Sequence, residues 1–220
     1  AVCVDEQVSN ARPLLDNGYL LTKWVGEQRV AECARRFGLP ALIARPGNIT
    51  GDSRTGFSNF ARNHFWLFTQ GCLQLGAYPE TAREVEMMPV DQLANALTAM
   101  VLHPRAGIRV ANLNNPFALS LRQWFAVLAA CGLHAAAQAP ADWQRRLAGL
   151  DASNGLALIR DFYTGDLSGA PLPIEQIDTL TELARHGVAL TTDYGAMIRL
   201  YIGYLRDAGF LAPLPETAAL

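Results

Sequence analysis

A helix followed directly by a short buried strand is the feature of this sequence that most constrains its fold. Apolar residues recur at helical spacing from Gly18 to Phe37, and Gly38 and Pro40 end the helix. The apolar run Ala41–Ala44 is typical of a buried parallel strand, and Arg45–Asn48 follow it as a loop. Helix, tight turn, strand and loop make up half of a doubly wound α/β unit, so we expect an α/β fold with a parallel sheet.

The remaining elements divide the chain near residue 118. Asp16 and Asn17 are predicted N-caps of the first helix. Before residue 118 the pattern predicts two more helices and one more strand. The helices are Phe57–Gln70 and a helix that Met88-Pro89-Val90-Asp91 opens and that runs to about Leu102, and the strand is Ile108–Leu113. After it we predict helices only, with a linker at Ser168–Pro173: Leu119–Cys131, Asp142–Leu150, Ile174–Arg185 and Tyr194–Ala208. We therefore expect a mixed domain over residues 1–117 and a mainly α-helical subdomain over residues 118–220.

Composition excludes several classes of protein. Of the 220 residues 50% are hydrophobic and 17% are charged, and the net charge is -2, which argues against disorder and against nucleic-acid binding. No apolar run reaches the ~18 residues of a membrane span, and the first ten residues do not resemble a signal peptide, so we expect a cytoplasmic protein. The four cysteines and four histidines have no metal-ligand or catalytic-triad spacing, which predicts no metal site.

A glycine-rich dinucleotide loop is missing from these 220 residues. Gly47, Gly51 and Gly56 follow a late strand, and we interpret them as a loop rather than a phosphate cradle. With no initiating Met, we expect the chain to be the rear portion of a longer polypeptide.

Tyr19 and Lys23 are the candidate catalytic pair. Lys23 is the only lysine among 18 Lys and Arg residues, and the i, i+4 spacing places it on the same helix face as Tyr19. An ammonium beside a phenol stabilises the phenolate, which makes the phenol a competent general acid toward a carbonyl oxygen. Lysine suits this position because its compact charge can reach both a ribose hydroxyl and the phenol, which a planar guanidinium cannot.

Several separated motifs resemble one family. The first combines Tyr19 and Lys23 with four neighbours: Gly18, Thr22, Trp24 and Glu27. The second begins about twenty residues later: Arg45-Pro46-Gly47-Asn48-Ile49, Gly51, Ser53, Arg54, Thr55 and Gly56. Three more follow: Gly71–Gly76, Pro89-Val90-Asp91 and Gly209–Pro213. Together they resemble the extended short-chain dehydrogenase/reductases and, more narrowly, the thioester reductase domains of nonribosomal peptide synthetases and carboxylic acid reductases.

The resemblance implies a fold, a reaction and a cofactor. The fold would be the C-terminal part of a Rossmann-like doubly wound parallel sheet followed by a mainly helical substrate-binding subdomain. The reaction would be NADPH-dependent reduction of an acyl or peptidyl thioester on a carrier protein's phosphopantetheine arm, giving an aldehyde or, after a second reduction, an alcohol. The partner would be that carrier protein within a multidomain synthetase, with neither nucleic acid nor membrane involved.

The resemblance also implies roles for individual residues. Tyr19 would protonate the developing oxyanion, Lys23 would hold the nicotinamide ribose and tune Tyr19, and Pro46–Ile49 would line the nicotinamide pocket. Arg54 would meet the cofactor or substrate, or form a surface salt bridge. The family's glycine-rich loop and the Ser/Thr that shares the carbonyl oxygen are expected upstream, so we expect the 220 residues alone to be inactive.

Two different functions and two minor assignments remain open. The chain could be another extended short-chain enzyme, such as a nucleotide-sugar epimerase or dehydratase, or a non-catalytic module that docks a carrier protein. An aromatic cluster could line a substrate channel or pack in the core: Phe60, Phe65, Trp66 and Phe68. The pair Arg145-Arg146 could attract an acidic carrier protein or lie on a solvated helix face. Three tyrosines of the last helix are predicted to pack: Tyr194, Tyr201 and Tyr204.

Overall fold

A computed structural model describes residues 3–9, 18–165, 167, 173–190 and 193–212. Within these residues the chain forms two compact units that alternate along the sequence. Unit 1 comprises the described parts of Ala1–Gly47, Gln92–Asn114 and Leu172–Leu190. Unit 2 comprises the described parts of Asn48–Asp91, Asn115–Pro171 and Thr191–Leu220.

Unit 1 is built on two parallel strands. Strand β1, Ala41–Pro46, pairs with strand β4, Ile108–Leu113, in a register that joins Ala41 to Ile108 and Pro46 to Leu113. Helix α1, Gly18–Phe37, precedes β1, and helix α3, Val90–Leu102, precedes β4. A parallel pair needs such a crossover, because the chain must return to the end where the first strand began.

A buried carboxylate fixes the last helix of unit 1. Helix α6, Ile177–Arg185, carries Glu182, whose side chain is buried. Glu182 forms ion pairs with Arg109 on β4 and with Arg105, the latter at 3.5 Å between Nη2 and Oε2. These two ion pairs offset part of the cost of burying the carboxylate.

Unit 2 contains more helices and two small sheets. Its helices are α2 His64–Leu75, α4 Leu121–Ala130, α5 Pro140–Leu147 and α7 Tyr194–Asp207. Strand β2, Ala77–Pro79, pairs in parallel with β6, Ala136–Gln138, and β3, Glu84–Glu86, pairs antiparallel with β5, Ala118–Ser120. Short 3₁₀ helices span Phe60–Arg62, Gly155–Leu158 and Arg160–Tyr163.

Aromatic side chains form the core of unit 2. The largest fully buried side chains are Trp66, Trp124, Trp143, Tyr201 and Phe125. The indole N–H groups of the three tryptophans donate to Thr50 O, Thr69 Oγ1 and Ala77 O, so burying these rings leaves no donor unpaired. Phe65, Trp66 and Phe68 belong to this core, which is one of the two interpretations of the aromatic cluster.

The mixed α/β fold is confirmed, and the first half of the chain follows the predicted elements closely. Helix α1 and strand β4 have the predicted bounds, and β1 extends two residues beyond Ala44. Helix α3 ends at Leu102 as predicted but begins at Val90, after Met88 and Pro89. The predicted helix Phe57–Gln70 begins only at His64, because the Asn63 side chain accepts the N–H groups of the first turn and stops any earlier start.

The prediction of helices only after residue 118 was wrong. Residues 118–120 and 136–138 form β5 and β6, each three residues long and too short for an alternating pattern to be visible. A capping box between Ser120 and Gln123 moves the start of α4 to Leu121. Helix α6 begins at Ile177 rather than Ile174, because Ile174 bridges to Val4 in parallel.

Some predictions fall where the structure makes no statement. The N-caps Asp16 and Asn17 and the linker residues 168–172 lie outside the described residues. The functional boundary at residue 118 stays a prediction. Among the helices of the described residues, none has the length and apolar character needed to cross a membrane.

Candidate active site

Tyr19 and Lys23 lie together on the first two turns of α1. The Lys23 ammonium is 5.3 Å from the centroid of the Tyr19 ring, within the range of a cation–π contact. Both side chains are exposed, Tyr19 to 61%. Neither has a hydrogen bond or ion pair from its side-chain polar atoms to another described residue. The helical spacing therefore brings the pair together as expected and leaves both polar groups open to a ligand.

Neighbouring side chains of α1 anchor the helix that carries this pair. Trp24 Nε1 and Gln28 Nε2 both donate to the carbonyl of Ser9, at 3.1 and 2.8 Å. Glu27 accepts two hydrogen bonds from Arg45 on β1, at 2.8 Å from Nε and 2.6 Å from Nη2. Three of these residues belong to the sequence motifs, and in the structure they anchor the helix that carries Tyr19 and Lys23.

Arg45 is also the point where the N-terminal segment is held. Its Nη1 donates to Asp5 O and its Nη2 to Gln7 O, both at 2.9 Å. Pairing with the Glu27 carboxylate raises the pKa of Arg45 above its ordinary value. One guanidinium therefore joins helix α1, strand β1 and residues 5–7 within unit 1.

The predicted nicotinamide segment leaves β1 with two of its main-chain amides already engaged. Pro46 ends the strand, and the Gly47 N–H donates to Leu113 O at 3.0 Å. Asn48 donates its N–H to Glu86 Oε2 at 2.7 Å and its side-chain amide to Glu86 O at 3.2 Å. Ile49 forms a parallel bridge to Met88. Ile49 is 36% exposed, so its side chain can meet a ligand, whereas the N–H groups of Gly47 and Asn48 are already used.

Arg54 lies in a loop that is held by carboxylates. Its guanidinium is 77% exposed and pairs with Asp52 at 3.3 Å and with Asp91 at 3.9 Å. Asp91 also accepts the N–H and the hydroxyl of Ser53, at 2.8 and 2.7 Å. The salt bridge that the sequence allowed for Arg54 is present, and the contact of Arg54 with a cofactor stays a prediction.

The conformation of this loop requires glycine at position 56 of the motif. Its φ of +76° lies in the left-handed region, and an added Cβ would come within 2.5 Å of the Leu200 carbonyl oxygen. Nearby, the buried Tyr201 hydroxyl donates to Gly51 O at 2.9 Å and lies 3.1 Å from Thr50 Oγ1. Burial raises the pKa of Tyr201 to about 12, so the phenol stays protonated and can donate. The motif residues therefore determine the loop shape.

A cavity of about 350 Å³ opens within unit 2. Its apolar lining comes from Phe65, Phe68, Pro79, Val85, Leu121 and Leu167. Its polar and aromatic lining comes from Asn48, His64, Arg83, Glu84, Glu86 and Tyr163. An apolar cleft with a few convergent polar groups is the ordinary form of a small-molecule site. Asn48 is the predicted site residue that takes part in it.

Glu86 connects the cavity wall to the nicotinamide segment. Its two carboxylate oxygens accept the N–H groups of Asn48 and Asn115, at 2.7 and 2.6 Å. Burial nevertheless raises the pKa of Glu86 above its ordinary value. Sequence reasoning missed Glu86, because it lies in a three-residue strand far from the motifs it supports.

His64, Arg83 and Tyr163 were also missed as site residues. His64 and Tyr163 stack at 5.5 Å between ring centroids, and the Arg83 guanidinium lies 6.0 Å from the Tyr163 ring. Burial and the Arg83 charge lower the pKa of His64, and burial raises that of Tyr163. The three are separated by 19 and 80 positions in the chain, so no local pattern could have grouped them. Among the described residues no His, Cys, Asp and Glu cluster could hold a metal ion.

Residues 2–97 match an NAD-binding family model described as "Male sterility protein", which indicates a nicotinamide cofactor. The "L-2-aminoadipate reductase large subunit" of Penicillium chrysogenum is 30% identical over 233 residues, covering 97% of this chain and 16% of that protein. This chain therefore spans a small part of the curated relative it matches.

Two solved structures share the fold. The "terminal R domain from the myxalamid PKS-NRPS biosynthetic pathway" aligns with a TM-score of 0.84 and 26% identity, covering 98% of this chain and 56% of that chain. The "thiolation-reductase di-domain from an archaeal non-ribosomal peptide synthetase" aligns with a TM-score of 0.77 and 20% identity, covering 95% and 44%. The predicted resemblance and the Rossmann-like α/β fold are both confirmed by these matches.

Proposed function

We propose that this chain reduces a thioester. Its fold is that of the terminal reductase domains, and residues 2–97 match an NAD-binding family. The substrate is an acyl or peptidyl group on the phosphopantetheine arm of a carrier protein. The product is an aldehyde or, after a second reduction, an alcohol. The observation that carries the proposal is the contact between Lys23 and Tyr19 on a helix anchored by Glu27 and Arg45.

The residues of α1 fit a nicotinamide cofactor. Lys23 has no other partner among the described residues, so its three N–H donors can bind the ribose hydroxyls. Ile49 offers an exposed apolar side chain beside Asn48, which suits contact with the nicotinamide ring. We propose NADPH as the cofactor, which supplies a hydride when bound.

Tyr19 acts as the general acid in this scheme. As the thioester carbonyl carbon gains the hydride, its oxygen gains charge and takes the proton of the Tyr19 hydroxyl. Lys23 stabilises the phenolate that remains. The resulting hemithioacetal then breaks its carbon–sulfur bond, which releases the aldehyde and returns the pantetheine thiol. Atoms and electrons balance with one hydride and one proton per thioester.

Tyr19→Phe and Lys23→Arg test this assignment. In the polypeptide that contains this chain, Tyr19→Phe should remove most of the reduction rate while leaving NADPH affinity nearly unchanged, and Lys23→Arg should reduce both. The assay follows NADPH oxidation with acyl-pantetheine, and a nucleotide sugar serves as the competing substrate class. Tyr204→Phe is the matched control, because Tyr204 lies on α7 rather than α1 and its ring packs against Phe57 and Phe60. Wild-type rates in Tyr19→Phe would disprove the role.

The 220 residues alone should neither bind NADPH tightly nor turn over. The resemblance implies a glycine-rich phosphate loop and a carbonyl-binding Ser/Thr, and these 220 residues include neither pattern at the expected place. Isothermal titration of the isolated chain with NADPH measures this directly, and micromolar affinity would contradict it. Carrier-protein binding that survives Tyr19→Phe, without activity in any longer polypeptide, would instead favour a docking module.

A further inference from the structure

Three polar groups that have no partner among the described residues meet in the cavity of unit 2. The Arg83 side chain forms no ion pair there, and the His64 ring nitrogens form no hydrogen bond. The Tyr163 hydroxyl also lacks a partner, although the residue is 7% exposed. Every fully buried side-chain polar atom in the described residues has a partner, so this hydroxyl retains accessible surface, and the cavity is the space that Tyr163 lines.

These groups form one cluster around the Tyr163 ring. His64 stacks on it at 5.5 Å, and Phe68 stacks on it at 5.1 Å. The Arg83 guanidinium lies 6.0 Å from the same ring centroid. A guanidinium fork, an imidazole N–H and a phenol O–H are three donors beside an apolar floor, which is the set that binds a carboxylate at the end of a hydrocarbon chain.

Arg83 is the cation that lies beside the Tyr163 ring at this end of the cavity. Burial lowers the pKa of His64, and the nearby Arg83 charge lowers it further. Glu86 uses both carboxylate oxygens to accept main-chain N–H groups. Glu84 and Glu86 line the same cavity, so an anion is favoured beside Arg83 and not near these two carboxylates.

We propose that this cavity binds the acyl chain of the thioester and that Arg83, His64 and Tyr163 select a chain ending in a carboxylate. This inference rests on the proposed function for the thioester itself. The cavity volume of about 350 Å³ is near the lower end for ligand sites, which suits a short acyl group rather than a long peptide. Asn48 lines the cavity and directly follows the predicted nicotinamide residue Gly47 in the chain, which places acyl binding beside that segment.

The test compares three acyl-pantetheines of equal chain length: adipoyl with a terminal carboxylate, hexanoyl without charge, and 6-aminohexanoyl with a terminal ammonium. Calorimetry of the protein without cofactor gives each Kd, and NADPH oxidation in the complete polypeptide gives each KM. Adipoyl-pantetheine should bind about tenfold or more tightly than the other two. Arg83→Met should weaken only the adipoyl ligand, by about 10- to 100-fold, the range for a hydrogen bond to a charged group.

Matched variants separate charge recognition from general damage. Arg83 is exposed, so Met should leave the fold intact, which a thermal melt verifies, and Arg83→Lys should retain part of the preference. Arg145→Met removes an exposed Arg of α5 paired with Asp142, and it should change none of the three affinities. Equal weakening of all three ligands by Arg83→Met would overturn the inference, as would no measurable adipoyl binding or tightest binding of the aminohexanoyl ligand. Carboxylate-selective binding without any reduction would refute the proposed function and leave the selectivity of the cavity standing.

Discussion

Replacing Arg45 with methionine should destabilise unit 1 more than the same replacement of an exposed arginine would. Arg45 donates four hydrogen bonds of 2.6–2.9 Å, two to the Glu27 carboxylate and two to main-chain carbonyls of residues 5 and 7. Met retains most of the apolar stem, so the change removes the guanidinium and its hydrogen bonds with little loss of packing.

The size of the effect follows from the exposure of the pair. Arg45 and Glu27 are 19% and 20% exposed, so the pair is neither fully buried nor on the surface. Breaking a fully buried pair costs about 3–5 kcal/mol and breaking an exposed one costs about 0–1 kcal/mol. With two carbonyls also losing their donor, we expect a loss of about 2–3 kcal/mol in the free energy of unfolding. In a chain of this length that lowers Tm by about 4–12 °C.

Urea unfolding of four variants measures this loss. Arg29→Met is the control, because Arg29 pairs with Glu32 on the same helix α1 with side chains 75% and 61% exposed, and it should cost at most about 0.5 kcal/mol. Arg45→Met, Glu27→Gln and the double variant complete a cycle whose coupling energy should exceed about 1 kcal/mol. If Arg45→Met costs no more than Arg29→Met, the anchoring role of this pair is wrong.

Three further predictions concern unit 2. Gly56→Ala should lower the free energy of unfolding by about 3 kcal/mol or more. Gly76→Ala is the control, because Gly76 also has a positive φ but open space around its Cβ, and it should cost about 1–2 kcal/mol. Equal losses in urea unfolding would show that crowding at Gly56 does not matter. Tyr201→Phe should cost about 1–2 kcal/mol, because a loop carbonyl loses its buried donor; a loss near zero would count against that hydrogen bond. The pKa of His64 is lowered from 6.5, so its contribution to stability is complete above pH 6.5 and falls as the pH drops below it. His64→Gln should therefore flatten part of that decline, and an unchanged pH profile would refute the assignment.

The sequence predicted the parts of unit 1 whose causes are local. Helix α1 has its apolar spacing, its stop at Gly38 and its neighbouring strand within 30 residues, so each signal agrees with the others. The contact between Tyr19 and Lys23 follows from helix geometry alone.

The cavity of unit 2 could not be predicted in the same way. It depends on three-residue strands and on a 3₁₀ turn that brings Tyr163 against a helix nearly 100 positions earlier. Such contacts are set by tertiary packing, which leaves no periodicity in the chain. His64 looked like a scattered histidine because its partners, Arg83 and Tyr163, are distant in sequence.

Glu86 has a consequence for exchanging parts of this protein with relatives. Its carboxylate accepts the N–H of Asn48 and of Asn115, which are the first residues of two separate stretches of unit 2. The starts of both stretches must therefore lie within hydrogen-bonding reach of one side chain. A chimera that takes β3 from a relative without a glutamate at this position would leave the N–H groups of Asn48 and Asn115 without their acceptor. An insertion between Asn48 and Asn115 is tolerated only if both main-chain N–H groups still reach the Glu86 carboxylate.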